Sequence, residues 1–262
     1  MRIVAALVLA PLTIAIAWVG SWPWIVLVTA AAMLLYFEWL MIVGASSNRR
    51  IAAIGIAVLG SAGIFLLVSR TDLSIGVIVA GIIFAAILAR GQQIWVAGGL
   101  AYAAAALIAS ALVRLDASMG FVALVFVLLV VWVTDIGGYF AGRGIGGPKL
   151  WPRVSPKKTW AGAAGGLILS LIIAAAFAIL DFGKMLPLLL LGTLLSVVSQ
   201  LGDLFESAVK RRFGVKDSSH IIPGHGGLLD RLDGFVAAIV IAALIGFSRG
   251  GLDGVGRGFM IW

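Results

Sequence analysis

The sequence predicts an all-α integral membrane protein, a polytopic bundle of about nine transmembrane helices with two long cytoplasmic loops. Three observations carry that fold class. Of 262 residues, 62% are hydrophobic and 11% are charged, with a mean hydropathy of +1.16, whereas soluble domains carry roughly 25% charged residues. Several uncharged apolar runs reach the roughly 18 to 20 residues that a helix needs to cross a hydrocarbon core. None of them shows the short alternating segments of an outer-membrane barrel strand, so the spans are helices.

Taken in order, the runs fall at about 3–20, 22–43, 51–69, 73–89, 93–113, 119–141, 159–180, 186–204 and 231–248. Residues 1–118 hold five N-terminal spans, and 119–262 hold the spans that carry the catalytic loops, all within one membrane-embedded unit. An apolar run directly after Met1 and Arg2 also fits a cleaved signal peptide. A second span follows almost at once, so an uncleaved first helix is expected. The segments 142–158 and 205–230 are rich in Gly and basic residues. Their backbone groups would be unpaired in lipid, so both are read as loops outside it.

Cysteine is absent, which excludes disulfides and thiolate-held metals. The net charge of +8 would suit nucleic acid, but its distribution follows topology instead. With nine spans, every basic residue except Arg70, Arg114, Lys184, Arg249 and Arg257 lies on the N-terminal side. The positive-inside rule then puts the N-terminus and both long loops in the cytoplasm and the C-terminus outside. No nucleic-acid partner is expected.

The acids are more telling, because a charge at mid-bilayer costs at least about 2.5 to 3.5 kcal/mol. Asp72, Asp116, Asp181 and Asp253 fall on the outer side and read as solvated caps or turns. Glu38, in the second span, stays open between a structural partner for a basic loop residue and a site residue. The other six, Asp135, Asp203, Glu206, Asp217, Asp230 and Asp233, converge on the cytoplasmic side. In the eighth span Ser196, Ser199, Gln200, Asp203, Ser207 and Lys210 recur every three or four residues, which predicts one polar face turned from lipid. Asp230 and Asp233 are neighbours on the first turn of the ninth span, just after Gly226 and Gly227. Compensation of a helix N-terminus would explain either acid, but not their company. Asp135, deep in the sixth span within WVTDIGGYFAGRG, is expected to be buried, as a site residue or as the partner of a basic residue.

Carboxylates and hydroxyls without cysteine make a hard-oxygen environment, which suits Mg²⁺ rather than zinc. Beside them stand SPKK in one loop and KRR in the other. Lysines and arginines facing a carboxylate-held divalent ion can bind polyphosphate and stabilise phosphoryl or nucleotidyl transfer. In a membrane the second substrate is then expected to be a lipid phosphate. GRGIGG at 142–147 matches a dinucleotide fingerprint but follows a membrane helix and not a strand, so it reads as a flexible cytoplasmic loop. His220 reads as an exposed loop residue, and His225, among Gly224, Gly226 and Gly227, as a phosphate donor or an orienting group. A transporter would gather its acids at mid-membrane on broken helices; here they sit beside two long basic loops, which favours an enzyme. A CDP-alcohol phosphotransferase would need a longer acid run with an Ala-Arg pair, which the sequence lacks.

These residues resemble the signature of the phosphatidate cytidylyltransferases, the CDP-diacylglycerol synthases. Ser207, Lys210, Arg211, Lys216, Asp217, Pro223, His225, Gly226, Gly227, Asp230, Arg231 and Asp233 fall in register with it. TDIGGYFAGR at 134–143, SPKKTW at 155–160 and QLGDLFES at 200–207 agree as well, so the likeness covers the C-terminal half. Ala161 and Gly234 stand where many members carry Glu and Ser, and neither can supply a polar group. The resemblance implies Mg²⁺-dependent transfer of CMP from CTP to phosphatidic acid, releasing pyrophosphate. It implies Asp203 and Asp230 as the metal-holding pair, supported by Asp233 and Asp135. Catalytic roles then fall to Asp203, Asp230, Asp233, Lys210 and Arg211. Ser207, Lys157, Lys158, Lys216, His225, Asp135 and Arg231 are expected to bind substrate. The oligomeric state stays open, with a homodimer as the candidate assembly, in the cell membrane with the active site facing the cytoplasm.

Overall fold

Each predicted span is a helix. The computed structural model describes residues 2–219 and 226–262, with side chains from Ala10 onward. In chain order the helices are α1 (Arg2–Val19), α2 (Ser21–Ile42), α3 (Arg49–Leu67), α4 (Thr71–Leu88) and α5 (Gln93–Leu115). They continue as α6 (Gly120–Gly144), α7 (Trp160–Ile179), α8 (Met185–Arg212), α9 (Leu229–Gly250) and the short α10 (Val255–Met260). Among the described residues, α2 to α9 are each long and apolar enough to cross a membrane. The chain is a multi-pass, all-α membrane protein.

Both long connections are shorter than the sequence predicts, because helices run into them. α6 carries on to Gly144, and the residues after it form an antiparallel hairpin of β1 (Lys149–Trp151) and β2 (Ser155–Thr159). Lys149 faces Thr159 and Trp151 faces Ser155 across the pair. SPKK is therefore a strand, and only the turn at Gly146 and Gly147, both at positive φ, needs the freedom of glycine. The flexible loop expected at 142–147 is corrected accordingly. At the other connection α8 extends to Arg212, so Ser207, Lys210 and Arg211 are helical.

The chain groups into two compact units, Met1–Ala111 with Arg212–Arg231, and Leu112–Arg211 with Leu232–Trp262. In the first, large residues on α2 lock into notches on their neighbours. The Tyr36 ring occupies the space over Gly55 of α3, where a Cβ would lie 1.9 Å from the ring. Trp39 stacks on Tyr102 at 5.6 Å and donates its Nε1–H to Trp95 O at 2.8 Å, while Trp24 donates to Ser110 O at 3.0 Å. Buried tryptophans in an apolar setting need such acceptors for their single polar group. The Asn48 side chain caps α3 by accepting from Arg50 N and Ile51 N.

In the second unit glycines bring helices together. A Cβ on Gly137 of α6 would lie 2.7 Å from Gly165 O, and one on Gly166 of α7 would lie 2.6 Å from Thr134 O. α6 and α7 therefore approach backbone to backbone, the small-residue packing that membrane helices use. A Cβ on Gly202 of α8 would likewise lie 2.7 Å from Asp233 O. Phe126, Phe177 and Phe259 fill the core. On α8, Leu186, Leu190, Leu194, Val197, Leu201 and Phe205 form an exposed apolar stripe, while Ser196 and Ser199 opposite are buried. The polar face of α8 points inward, as its periodicity predicts.

Asp116, expected as a solvated cap, is a cap but a buried one, only 4% exposed. Its Oδ1 accepts from Ser118 N, Ser118 Oγ and Met119 N, and its Oδ2 from Arg257 N in α10. Burial pushes this carboxyl up, but the N–H and O–H donors outweigh it and hold the group below the usual carboxylate range.

Candidate active site

In the second unit, β2 ends at Thr159, whose hydroxyl accepts from Gly162 N at 3.1 Å and caps α7. Lys157 and Lys158 are thus fixed immediately before a helix N-terminus, a place where the backbone dipole favours anions. Lys157 is exposed, and Lys158 is half-buried with its Nζ in an ion pair with Asp203 Oδ2. Ser207, one turn on from Asp203 in α8, donates to Asp203 Oδ1 at 3.3 Å. One acid of the polar face is thereby held by a cation on one oxygen and a hydroxyl on the other.

Further along α8, Lys210 pairs with Glu206 at 2.7 Å, and both side chains are nearly inaccessible, at 9% and 2% exposure. Lys210, expected at phosphate, is here a buried partner of Glu206, while Arg211 beside it is exposed. Asp233 of α9 lies in the electrostatic field of Asp203, Glu206 and Asp135. The close packing of Gly202 against Asp233 O sets α9 this near to Asp203. Gly234 serves the same approach, since a Cβ there would lie 3.1 Å from Ser199 O. The departure from Ser at that position fits the tight packing. Asp135, expected to be buried, is exposed on α6, and Arg143 donates to Tyr139 OH at 2.8 Å.

In the first unit Asp230, on the opening turn of α9, accepts from Ser218 N, Ser218 Oγ and Gly227 N at 2.9 to 3.2 Å. Lys216, Asp217 and Arg231 are exposed. Glu38, left open between a partner for a basic loop residue and a site residue, is wholly buried and accepts four hydrogen bonds among the described residues, all from hydroxyls or backbone N–H groups. His220, Pro223 and His225 lie outside the described residues. No pattern around Glu38 points to what it meets, since its donors are some 180 to 191 positions away.

In the second unit the negative charges of Asp203, Glu206 and Asp135 all bear on Asp233, with Lys158 paired to Asp203 and Lys210 to Glu206 as counter-charges. Such a set fits a hard divalent cation in kind. Among the described residues no three Asp, Glu or His side chains are already arranged to hold an ion.

Residues 1–248 match the cytidylyltransferase family. The chain is 41% identical over 250 residues to the phosphatidate cytidylyltransferase of Brucella suis biovar 1, covering 94% of this chain and 92% of that protein. It is 52% identical over 124 residues to the phosphatidate cytidylyltransferase of Staphylococcus saprophyticus and 49% identical over 116 residues to that of Bacillus subtilis. These shorter matches cover 47% and 42% of this chain, and 48% and 42% of the respective relatives. The match to the family over 1–248 extends the likeness into the first five helices, which hydropathy alone left featureless. The chain belongs to the cytidylyltransferase family, a family of nucleotidyltransferases.

Proposed function

We propose that the protein transfers CMP from CTP to phosphatidic acid, forming CDP-diacylglycerol and releasing pyrophosphate, with Mg²⁺ as cofactor, at the cytoplasmic face of the cell membrane. The observation that carries the reading is the meeting of Lys158, Asp203 and Ser207 within reach of the Asp233, Glu206 and Asp135 charges, in a chain otherwise built for lipid. The relatives that share nearly the whole chain are phosphatidate cytidylyltransferases by name. The cytoplasmic placement rests on the distribution of Lys and Arg.

The phosphate of phosphatidic acid is already anionic at neutral pH. One of its oxygens attacks the α-phosphorus of CTP, a new P–O bond forms, and the bond from the α-phosphorus to the bridging oxygen of the leaving pyrophosphate breaks. No proton has to be removed from the nucleophile, so the difficulty is repulsion between two anions. A bound divalent ion would neutralise phosphate charge and favour departure of pyrophosphate. Asp203 and Asp230 would hold it, with Asp233 and Asp135 supporting. Lys158, released from Asp203, then turns to phosphate oxygens, and Lys157 meets them from the exposed face of β2. Arg211 adds charge from the last turn of α8, and Ser207 keeps the Asp203 carboxylate in one orientation.

The test is to incubate detergent-purified protein with phosphatidic acid, Mg²⁺ and radiolabelled CTP, with ATP, GTP and UTP alongside, and to count label in the organic phase. Label entering lipid from CTP alone, and lost on chelation, is the expected result. No transfer from any nucleotide by folded protein would overturn the reading.

A further inference from the structure

Glu38 is fully buried, and among the described residues the donors that meet it are all neutral. It lies one turn before the end of α2, in a helix with no other charged residue. Its Oε1 accepts from Ser219 Oγ at 2.7 Å and Leu228 N at 2.9 Å, and its Oε2 from Ser218 Oγ at 3.2 Å and Leu229 N at 2.7 Å. Each oxygen thus takes one hydroxyl from the near side of the signature loop and one backbone N–H from its far side. Leu229 is the first residue of α9, so the carboxylate satisfies N–H groups that a helix start leaves without internal acceptors.

Two details tie this clasp to Asp230. The Ser218 hydroxyl reaches Asp230 Oδ2 at 2.9 Å as well as Glu38 Oε2, so its single proton is shared between the two acids. Gly227 has no room for a side chain: a Cβ would lie 1.9 Å from Ser218 Oγ and 2.5 Å from Glu38 Oε2. The loop ends are closed around the Glu38 carboxylate as tightly as a glycine permits.

We propose that Glu38 is a positioning residue for nucleotidyl transfer: it clasps Ser218–Ser219 to the start of α9 and so fixes the orientation in which Asp230 is presented. The inference rests on the reading of Asp230 as part of the transfer site. Asp230 alone could keep its own bonds to Ser218 and Gly227 while the whole loop end moved; Glu38 anchors that end to α2.

Glutamine is a poor substitute here. Its amide must turn an NH₂ toward one of two backbone N–H groups, Leu228 or Leu229, and neither can become an acceptor. Aspartate keeps both acceptor oxygens but is one methylene shorter. The order of function expected is therefore Glu, then Asp, then Gln.

The experiment compares full-length Glu38→Gln, Glu38→Asp and Ser219→Ala with the wild type, in detergent, by three readouts. These are the KM for CTP at fixed Mg²⁺, kcat per folded molecule, and the rate of tryptic cleavage after Lys216, an exposed bond beside the clasped serines. Glu38→Gln is expected to lose about tenfold to a hundredfold in kcat/KM per folded molecule, as loosened geometry does. Its cleavage rate should rise with the protein still folded, Glu38→Asp should recover part of both, and Ser219→Ala should fall between Asp and wild type. Loss of activity only in proportion to lost folded protein, with KM and cleavage unchanged, would reduce Glu38 to a support of the bundle and overturn the proposal. Wild-type rates in Glu38→Gln would overturn it too. If Glu38→Gln does not fold, Glu38→Asp and Ser219→Ala decide by the same criteria. A wild type that cleaves slowly yet transfers nothing would sink the transfer reading, while the cleavage comparison would still decide whether the clasp exists.

Discussion

Glu38 in the first unit and Asp203 in the second are both acids in helices made mostly of apolar residues, and they are satisfied in opposite ways. Glu38 is fully buried and held by four fixed neutral donors, two of them backbone N–H groups that cannot leave. Asp203 is 28% exposed in its side chain and held by a lysine on a strand and by one long serine bond, with other acids nearby. Fixed dipoles satisfy a carboxylate without competing for a cation, so Glu38 can hold structure but has little to offer a ligand. A flexible ammonium can be exchanged for another cation, and neighbouring negative charge makes that exchange favourable. On the proposed reading, the difference separates an acid that positions from one that would hold the metal.

The largest effect should come from removing the exchangeable acid. Asp203→Asn is expected to lower label transfer at least about a hundredfold, the scale of losing a principal electrostatic contributor at a transition state. Its thermal midpoint should stay near that of the wild type, because Lys158 is partly solvated and can turn to water. Substantial activity in Asp203→Asn would take Asp203 out of the metal site and blur the contrast with Glu38. Lys158→Met comes next, with about a tenfold to hundredfold loss expressed in kcat as well as in KM for CTP. A change in KM alone would mean that Lys158 binds phosphate without helping the reaction.

The Glu206–Lys210 pair tests the opposite end of the scale, in stability rather than rate. Both groups are buried, so removing one strands the other, at a cost of about 3 to 5 kcal/mol. Glu206→Gln should accordingly lower the unfolding midpoint in detergent sharply. Replacing both together, Glu206→Met with Lys210→Met, should restore much of it. If the double variant is stable but inactive, Lys210 also serves phosphate; if it is stable and active, the pair is structural.

The helices were legible because an uncharged apolar run of membrane length has few alternatives, and each of the runs became one element. The polar face of α8 was legible for the same reason: Ser196, Ser199, Asp203 and Ser207 repeat with the helical period, and lipid leaves only one side for them. The ends of helices were not. KRR looks like loop, but Lys210 finds Glu206 one turn back, and α8 continues to Arg212. SPKK contains a proline, which argues against a helix but does not reveal a partner strand at 149–151. Glu38 announced itself as an isolated acid, yet its donors lie across most of the chain, and pattern within a helix cannot supply them. Asp135 is exposed rather than buried because depth along a span does not decide which way a residue faces, and Asp116, in a connection, is buried partly by α10, which lies far from it in the sequence.

Asp116 extends the comparison to a third acid and sets its smallest expected effect. Like Glu38 it is held by neutral donors, three from the turn between α5 and α6 and one, Arg257 N, from α10. Its carboxyl is held below the usual range, so its contribution to stability is present above the unfolded pKa of about 4 and is lost as pH falls through the lowered folded value. In Asp116→Asn an amide NH₂ would face backbone N–H groups, and about 1 to 2 kcal/mol should be lost at neutral pH. Thermal unfolding in detergent at pH 7 and again near pH 3 checks both statements: the gap between wild type and variant should narrow at the lower pH, because the wild type alone loses a charge. Label transfer per folded molecule should stay at the wild-type level, since Asp116 meets only the turn and α10. A gap that widens in acid would mean that the bonded form is the neutral one, and Asp116 would then leave the class to which Glu38 belongs.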